Sequence, residues 1–154
     1  MAIYLDEKFI TMKKIILSIP ALMLMATCVA HAQKVKSTAV PVAAKEALLK
    51  KYPKAVGITW EKEKANYEAN WGGKSGEDMS VQFTPAGVFV EEVVAISPSA
   101  LPVGVAAYVK EKYKVTKIKE AGKVTDAAGV VTYEAEVKGR DLVFDGNGKF
   151  LKED

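Results

Sequence analysis

Residues 40–52 read VPVAAKEALLKKY and residues 101–113 read LPVGVAAYVKEKY, so one pattern occurs twice at an offset of 61 residues. In each copy, apolar residues recur at i, i+3, i+4 and i+8, which is the spacing of one face of an α-helix. Pro41 and Pro102 stand where the first turn of a helix tolerates proline. The two stretches therefore predict two equivalent helices. Their apolar stripes are Ala44, Ala47, Leu48 and Tyr52 in the first copy and Val105, Tyr108, Val109 and Tyr113 in the second.

Further matches follow each predicted helix along the chain. Tyr67-Glu68-Ala69 matches Tyr133-Glu134-Ala135 at an offset of 66, and residues 83–89 share the pattern Phe-x-x-x-Gly-x-Phe with residues 144–150. The offset changes because each copy has five additional residues in a different hairpin. Insertions in turn segments leave the strand register intact, as expected for two divergent copies of one unit. These insertions are residues 72–76 in the first copy and residues 125–129 in the second.

The rest of each copy alternates between apolar and polar residues with the period of a half-buried strand. Each copy therefore predicts an α-β-β-β-β unit. We expect an α+β fold of one domain, residues 40–154, made of repeat 1 at 40–96 and repeat 2 at 101–154. The units would form one antiparallel sheet of eight strands, with both helices on one face and the other face open to solvent. The alternation is clearest at Tyr67, Ala69, Trp71, Met79, Val81 and Phe83 and at Val131, Tyr133, Ala135, Val137, Leu142 and Phe144.

The residues before the repeats have the layout of a secretion signal. Lys13 and Lys14 precede an apolar run at residues 15–30, and Ala30-His31-Ala32 is a small-x-small cleavage triplet. We predict a signal peptide at residues 1–32, with Met12 as the true start and a flexible mature N-terminus at residues 33–39. A transmembrane anchor is the alternative, but the run is shorter than the ~20 residues that span a bilayer. The predicted location is the periplasm.

Cys28 offers a second route to the envelope, as the lipidated residue of a lipoprotein. Its flanks, Met25-Ala26-Thr27, lack the leucine and the small residue that we expect there, so we favour cleavage after Ala32. Cleavage removes both Cys28 and His31, which are the only cysteine and the only histidine. Without cysteine or histidine, the mature chain cannot form a disulfide or a zinc site with thiolate or imidazole ligands. It also cannot carry out Ser-His-Asp or Cys-His catalysis.

The charge of the mature chain is almost balanced. The whole chain has a formal net charge of +3, and the part after Ala32 has 19 lysine and arginine residues against 17 carboxylates. Nucleic-acid binders usually carry a clustered basic surface, whereas lysines here alternate with glutamates. We therefore predict no nucleic-acid partner, and no membrane contact after the signal is removed.

Candidate partner-binding residues lie in one strand and two turns. Trp60 aligns with Glu120 of the second repeat, so its indole could be exposed and bind a partner. Trp71 lies in line with Tyr67 and Ala69, which favours core packing. The loops at residues 72–78 and 125–129 are the other candidates. Their predicted contact residues are Gly72, Gly73, Lys74 and Asp126.

Carboxylates spaced along strands suggest acid–base chemistry. Solvated strand faces carry such residues routinely, and a hydrolase also needs a pocket that perturbs pKa values. The segment Asp145-Gly146-Asn147-Gly148 lacks the downstream glutamate of a calcium loop, so we predict a hairpin turn. We predict that the chain is not an enzyme and has no catalytic, cofactor or metal site. The carboxylate pairs are Glu61 with Glu63, Glu91 with Glu92 and Glu134 with Glu136.

Several short motifs resemble the PepSY-like, β-lactamase-inhibitor-like family of small periplasmic proteins common in Bacteroidetes. The resemblance covers nearly all of residues 40–153. It implies two tandem α-β-β-β-β units with a concave sheet. The β-lactamase inhibitor protein binds an enzyme with a sheet of this kind. That inhibitor is stapled by disulfides, which this mature chain cannot form. The motifs are Lys50-Lys51-Tyr52-Pro53, Trp60-Glu61-Lys62-Glu63, Tyr67-Glu68-Ala69, residues 83–92, and residues 133–151 with Phe144-Asp145 and Gly148-Lys149-Phe150.

Three functions remain open at this point. The first is a non-catalytic module that binds a protein or peptide ligand of the envelope, with inhibition of an enzyme as one form. The second is a hydrolase that uses glutamate or lysine, and the third is a sensor of small molecules or envelope stress. A shared fold does not establish an activity, so the identity of the ligand does not follow from the resemblance.

Overall fold

The computed structural model describes residues 33–153 of the 154-residue chain. The predicted signal peptide at residues 1–32, with Met12, Cys28 and the cleavage site after Ala32, lies outside the described residues. The helices and strands follow one another in the order β1 (Gln33–Val35), α1 (Val42–Lys51), β2 (Thr59–Glu63), β3 (Asn66–Trp71), β4 (Met79–Phe83), β5 (Phe89–Ala95), α2 (Val103–Tyr113), β6 (Ala121–Asp126), β7 (Val131–Val137), β8 (Arg140–Asp145) and β9 (Phe150–Glu153).

The strands form one sheet in chain order, and every neighbouring pair is antiparallel. The α+β fold and its two α-β-β-β-β units are therefore as predicted. The units meet where β5 pairs with β6, with Val93 opposite Val124 and Ala95 opposite Gly122.

The edge strand β1 was not predicted, because residues 33–39 were expected to be flexible. The structure instead pairs Gln33 with Lys62 and Val35 with Trp60. Val35 packs against the apolar cluster under α1, and this contact stabilises the short strand on the edge of the sheet. Three residues are too few to show a period of two, so the pattern could not distinguish β1 from a loop. The sheet consequently has nine strands and not eight.

Each helix packs on its own apolar cluster, and the two clusters use equivalent positions. Ala44 and Leu48 of α1 are buried against Val81 and Phe83. The second cluster contains their counterparts 61 residues later, Val105, Val109, Leu142 and Phe144. Burial of these side chains supplies most of the energy that holds the helices on the sheet.

A tyrosine–carboxylate contact at the end of each helix also occurs twice. The hydroxyl of Tyr52 donates a hydrogen bond to Glu92, and the hydroxyl of Tyr113 donates one to Glu153 over 2.9 Å. Both acceptors lie 40 residues after their donors. Burial, followed by the contact with the Glu92 carboxylate, raises the pKa of Tyr52. The repeat thus extends to polar contacts that tie the C-terminal end of each helix to the sheet.

Both helices lie on the same face of the sheet. Side chains alternate between the two faces along each strand, and the strand pairing puts Ala69 and Val81, under α1, on the same face as Ala135, under α2. We call this side the helix face and the opposite side the open face. Within residues 33–153, no helix has the length and apolar composition needed to cross a bilayer.

Candidate functional site

The open face of the sheet carries most of the carboxylates of the strands. Period-two alternation places nine carboxylates on it and only two lysines, Lys34 on β1 and Lys152 on β9, which are the two edge strands. The helix face and the two helices carry eight basic side chains and four carboxylates. The nine are Glu61, Glu63, Glu68, Glu91, Asp126, Glu134, Glu136, Asp141 and Asp145.

The net charge of the chain does not reveal this separation of charge between the two faces. In Glu61-Lys62-Glu63, opposite charges alternate along β2, and a strand sends alternate side chains to opposite faces. A sequence that is balanced along the chain therefore becomes unbalanced across the sheet. The alternation of charges along the sequence already contains this asymmetry, but the sign of each face is known only when the side chains of each strand have been assigned to faces.

Polar side chains on β3 and β4 organise the carboxylates of the first repeat. The Ser80 hydroxyl donates to Glu68, and the Gln82 amide donates to Glu63 over 2.6 Å. Burial raises the pKa of Glu68, and the nearby carboxylates of Glu63, Glu61 and Glu91 raise it further, while the Ser80 hydrogen bond acts in the opposite direction. Because these neighbouring carboxylates disfavour ionisation of Glu68, this part of the face would gain energy from a cation.

A cavity of about 420 Å³ opens on this face where the two repeats join. Its lining combines apolar and charged side chains, which distinguishes it from the mostly apolar lining of a small-molecule site. The ammonium group of Lys119 lies 2.9 Å from Glu136 and 3.3 Å from Glu120 at this cavity. The lining residues are Ser75, Glu77, Asp78, Val93, Ala95, Ile96, Pro98, Lys119, Glu120, Ala121, Gly122, Glu134, Glu136 and Asp141.

Gly122 keeps part of this cavity open. A Cβ atom on Gly122 would lie 2.8 Å from Cγ1 of Val93 and 4.0 Å from a carboxylate oxygen of Glu134. Any larger residue would force Val93 to move and would occupy space between these side chains. Sequence reasoning did not single out Gly122, because a lone glycine within a strand pattern has several explanations.

Solved structures of Bacteroides proteins share this architecture. A protein of Bacteroides eggerthii provisionally described as periplasmic is 23% identical, with a TM-score of 0.60 over 75% of this chain and 88% of that chain. A DUF2874 family protein of Bacteroides uniformis is 20% identical, with a TM-score of 0.59 over 74% and 88%. A BLIP-like protein of Bacteroides fragilis is 24% identical, with a TM-score of 0.51 over 73% and 83%.

The chain has a BLIP-like fold. At these levels of identity the likeness establishes the arrangement of helices and sheet, and it says nothing of a ligand. No protein-family model matches the chain, and no curated protein matches it significantly. Membership of the PepSY-like family therefore stays a prediction.

The BLIP-like sheet places Trp60 on the helix face, under α1. Its side chain is 5% exposed and belongs to the cluster beneath α1. The prediction that Trp60 is exposed is therefore wrong. The alignment with Glu120 misled because β6 begins only at Ala121, so the two repeats differ at this position. Trp71 contacts the Tyr52 ring, with 5.1 Å between ring centroids, and its predicted core packing is confirmed.

The two predicted binding loops lie at opposite ends of the strands. The first loop reaches the cavity through Ser75, Glu77 and Asp78. Gly72 and Gly73 shape this loop with φ angles of 89° and 62°, whereas Lys74 is exposed and does not line the cavity.

Asp126 lies four residues from Gly122 along β6, or about 13 Å away. One oxygen of its carboxylate accepts hydrogen bonds from the backbone N–H groups of Ala128 and Val130. The observed role of Asp126 is thus to form the turn after β6.

The predicted carboxylate pairs are arranged in two ways. Glu91 and Glu92 point to opposite faces, since Glu91 pairs across the open face and Glu92 accepts from Tyr52 on the helix face. The pairs of β2 and β7 each share the open face, as predicted. Glu68, whose pKa is raised, does not line the cavity, so the structure does not add support to the hydrolase hypothesis.

The turn after β8 is a hairpin turn, as predicted. Oδ1 of Asp145 accepts hydrogen bonds from the backbone N–H groups of Asn147 and Lys149, and these bonds lower the pKa of Asp145. Within residues 33–153, no group of three or more His, Cys, Asp or Glu side chains is arranged to hold a metal ion.

Proposed function

We propose that the mature chain is a non-catalytic binding module of the periplasm that holds a protein or peptide ligand against the open face of its sheet. The observation that carries the proposal is the open face itself, which spans nine strands while both described helices pack on the other side. Inhibition of an envelope enzyme is the specific form that the BLIP-like neighbour suggests. The mixed, strongly charged lining of the cavity favours this reading over a small-molecule sensor.

The periplasmic location is part of the proposal. The neighbour from Bacteroides eggerthii has a periplasmic description, and the PepSY-like resemblance implies the same compartment. Cleavage after Ala32 would leave β1 whole, because β1 begins at Gln33. Intact-mass measurement on protein from a periplasmic fraction should give a chain that starts at Gln33. A mass that includes a lipid on Cys28, or an uncleaved leader, would contradict this location and processing.

Site-specific photocrosslinking in cells tests the binding surface. A benzophenone amino acid placed at Thr59 or Thr132 projects from the open face, whereas the same residue at Lys50 or Ala106 lies on an exposed helix surface. We expect discrete crosslinked species from the two open-face positions and none from the helix positions. Crosslinks confined to the helix positions, or absent from all four, would contradict the proposed function.

A further inference from the structure

We propose that the ligand is a basic protein segment, and that one of its lysine or arginine side chains enters the cavity beside Gly122. This inference rests on the proposed function, and it names the chemistry of the partner that the open face would bind. Charge complementarity across the whole face and the shape and lining of the cavity support it.

The charge of the open face selects the sign of the partner. Nine carboxylates against two lysines give the strands of this face an excess of seven negative charges, while the helices and the helix face have an excess of four positive charges. Complementary potentials steer encounter and exclude partners of the same sign. The open face therefore repels nucleic acids and anionic membrane surfaces, and it also repels the open face of a second copy.

The lining of the cavity suits a long basic side chain. Val93 and Ile96 offer apolar surface to a methylene stem, while Glu77 and Asp78 offer oxygens to the charged end. Lysine and arginine side chains bury their stems along apolar surface in this way. Lys119 already places an ammonium group against Glu136, so carboxylates of this cavity do accept a cation.

The position of the cavity on the sheet makes it suited to an anchor residue. It lies where the two repeats join, midway across the nine strands and at the end of β5 beside the loop at residues 72–78, so a segment that crosses this end of the open face would pass over it. Anchors at the centre of an interface carry most of the binding energy, and arginine is common among them. The remaining carboxylates would then set the orientation of the segment.

Fluorescence anisotropy with a defined probe tests the inference on protein purified from the periplasm. The probe is a fluorescein-labelled octapeptide of alternating arginine and glycine, and its control replaces each arginine with glutamate. At 150 mM salt, where the Debye length is about 8 Å, we expect saturable binding of the arginine probe and none of the glutamate probe. Affinity should fall steeply as the salt concentration rises.

A pair of charge-matched variants locates the anchor. Ser75→Arg adds a cation at the wall of the cavity, and Ala128→Arg adds the same charge in the turn after β6; both native residues are exposed, so the fold should tolerate both changes. We expect Ser75→Arg to weaken binding of the arginine probe at least tenfold and Ala128→Arg to change it less than twofold. Equal effects of the two variants would overturn the assignment of the cavity.

The inference and the proposed function can fail separately. If open-face crosslinks form in cells but the arginine probe does not bind, the basic partner is wrong and the binding module stands. If crosslinks arise only from the helix surfaces, the proposed function fails and this inference fails with it. Self-association of the protein that the arginine probe does not compete with would also overturn the basic-segment assignment.

Discussion

At the scale of single residues, the carboxyl of Glu68 reports the electrostatics of the open face. It lies half-buried among three other carboxylates and accepts a hydrogen bond from Ser80. Because its pKa is raised on folding, the folded state binds this proton more tightly than the unfolded chain does. The stability that Glu68 contributes is therefore present below its unfolded pKa and is lost as pH rises through its folded pKa.

Glu68→Gln should consequently stabilise the protein at pH 7, since the amide keeps an acceptor for Ser80 and removes the charge. The gain should shrink towards zero as pH falls below the ordinary glutamate pKa, where the native carboxyl is already neutral. Urea unfolding at several pH values measures both effects. Glu46→Gln, at an exposed position on α1, controls for the loss of a charge. A gain that does not depend on pH would contradict this electrostatic explanation.

At the scale of secondary-structure elements, the tyrosine at the end of each helix fastens it to the sheet. Tyr52→Phe should lower the free energy of unfolding by about 1–3 kcal/mol, because it removes a hydrogen bond to a carboxylate that stays half-buried. Tyr113→Phe should cost less, because the contact with Glu153 is exposed to solvent. Chemical denaturation of both variants measures which of the two losses of unfolding free energy is larger. A larger loss for Tyr113→Phe would show that the two contacts are not ranked by burial.

The edge strand β1 should contribute measurably to stability although it has only three residues. Val35→Ala removes two methyl groups that pack against the cluster containing Trp60, and should cost up to about 1.5 kcal/mol. Val56→Ala makes the same chemical change at a site that is 78% exposed, so it should be nearly neutral. Equal effects in urea unfolding would mean that β1 is not held as the structure shows.

The elements also show which features a single sequence can reveal. Both helices and the eight strands of the repeats were predicted, because the helices and four of the strands have a clear periodicity and each unit has a second copy that supports it. The position of Trp60 could not be predicted, since one aligned glutamate suggested exposure and only the pairing of β2 with β3 assigns its face. The cavity was also beyond prediction, because it combines loop residues with Gly122 and Glu134, which are distant in sequence.

At the scale of the whole molecule, the two repeats should unfold together. Their apolar clusters are separate, but β5 pairs with β6 along five residues and makes one continuous sheet. Phe83→Ala and Phe144→Ala should each lower stability by about 3–5 kcal/mol, because both rings are buried. Each variant should show a single transition by fluorescence and by circular dichroism. Two separate transitions would mean that each repeat folds as an independent unit.

At the same scale, the chain is nearly neutral, but its negative charges lie mainly on the open face and its positive charges mainly on the helix side. Valine methyl groups can report on ligand binding at each side separately. Strand pairing places Val93, Val124 and Val143 on the open face, where the last two are only 5% exposed, and Val81 and Val137 under the helices. The most direct measurement is a methyl NMR titration of the protein with the arginine octapeptide. We expect the three open-face valines to shift while the helix-face valines stay unchanged. Shifts confined to Val81 and Val137 would contradict binding at the open face.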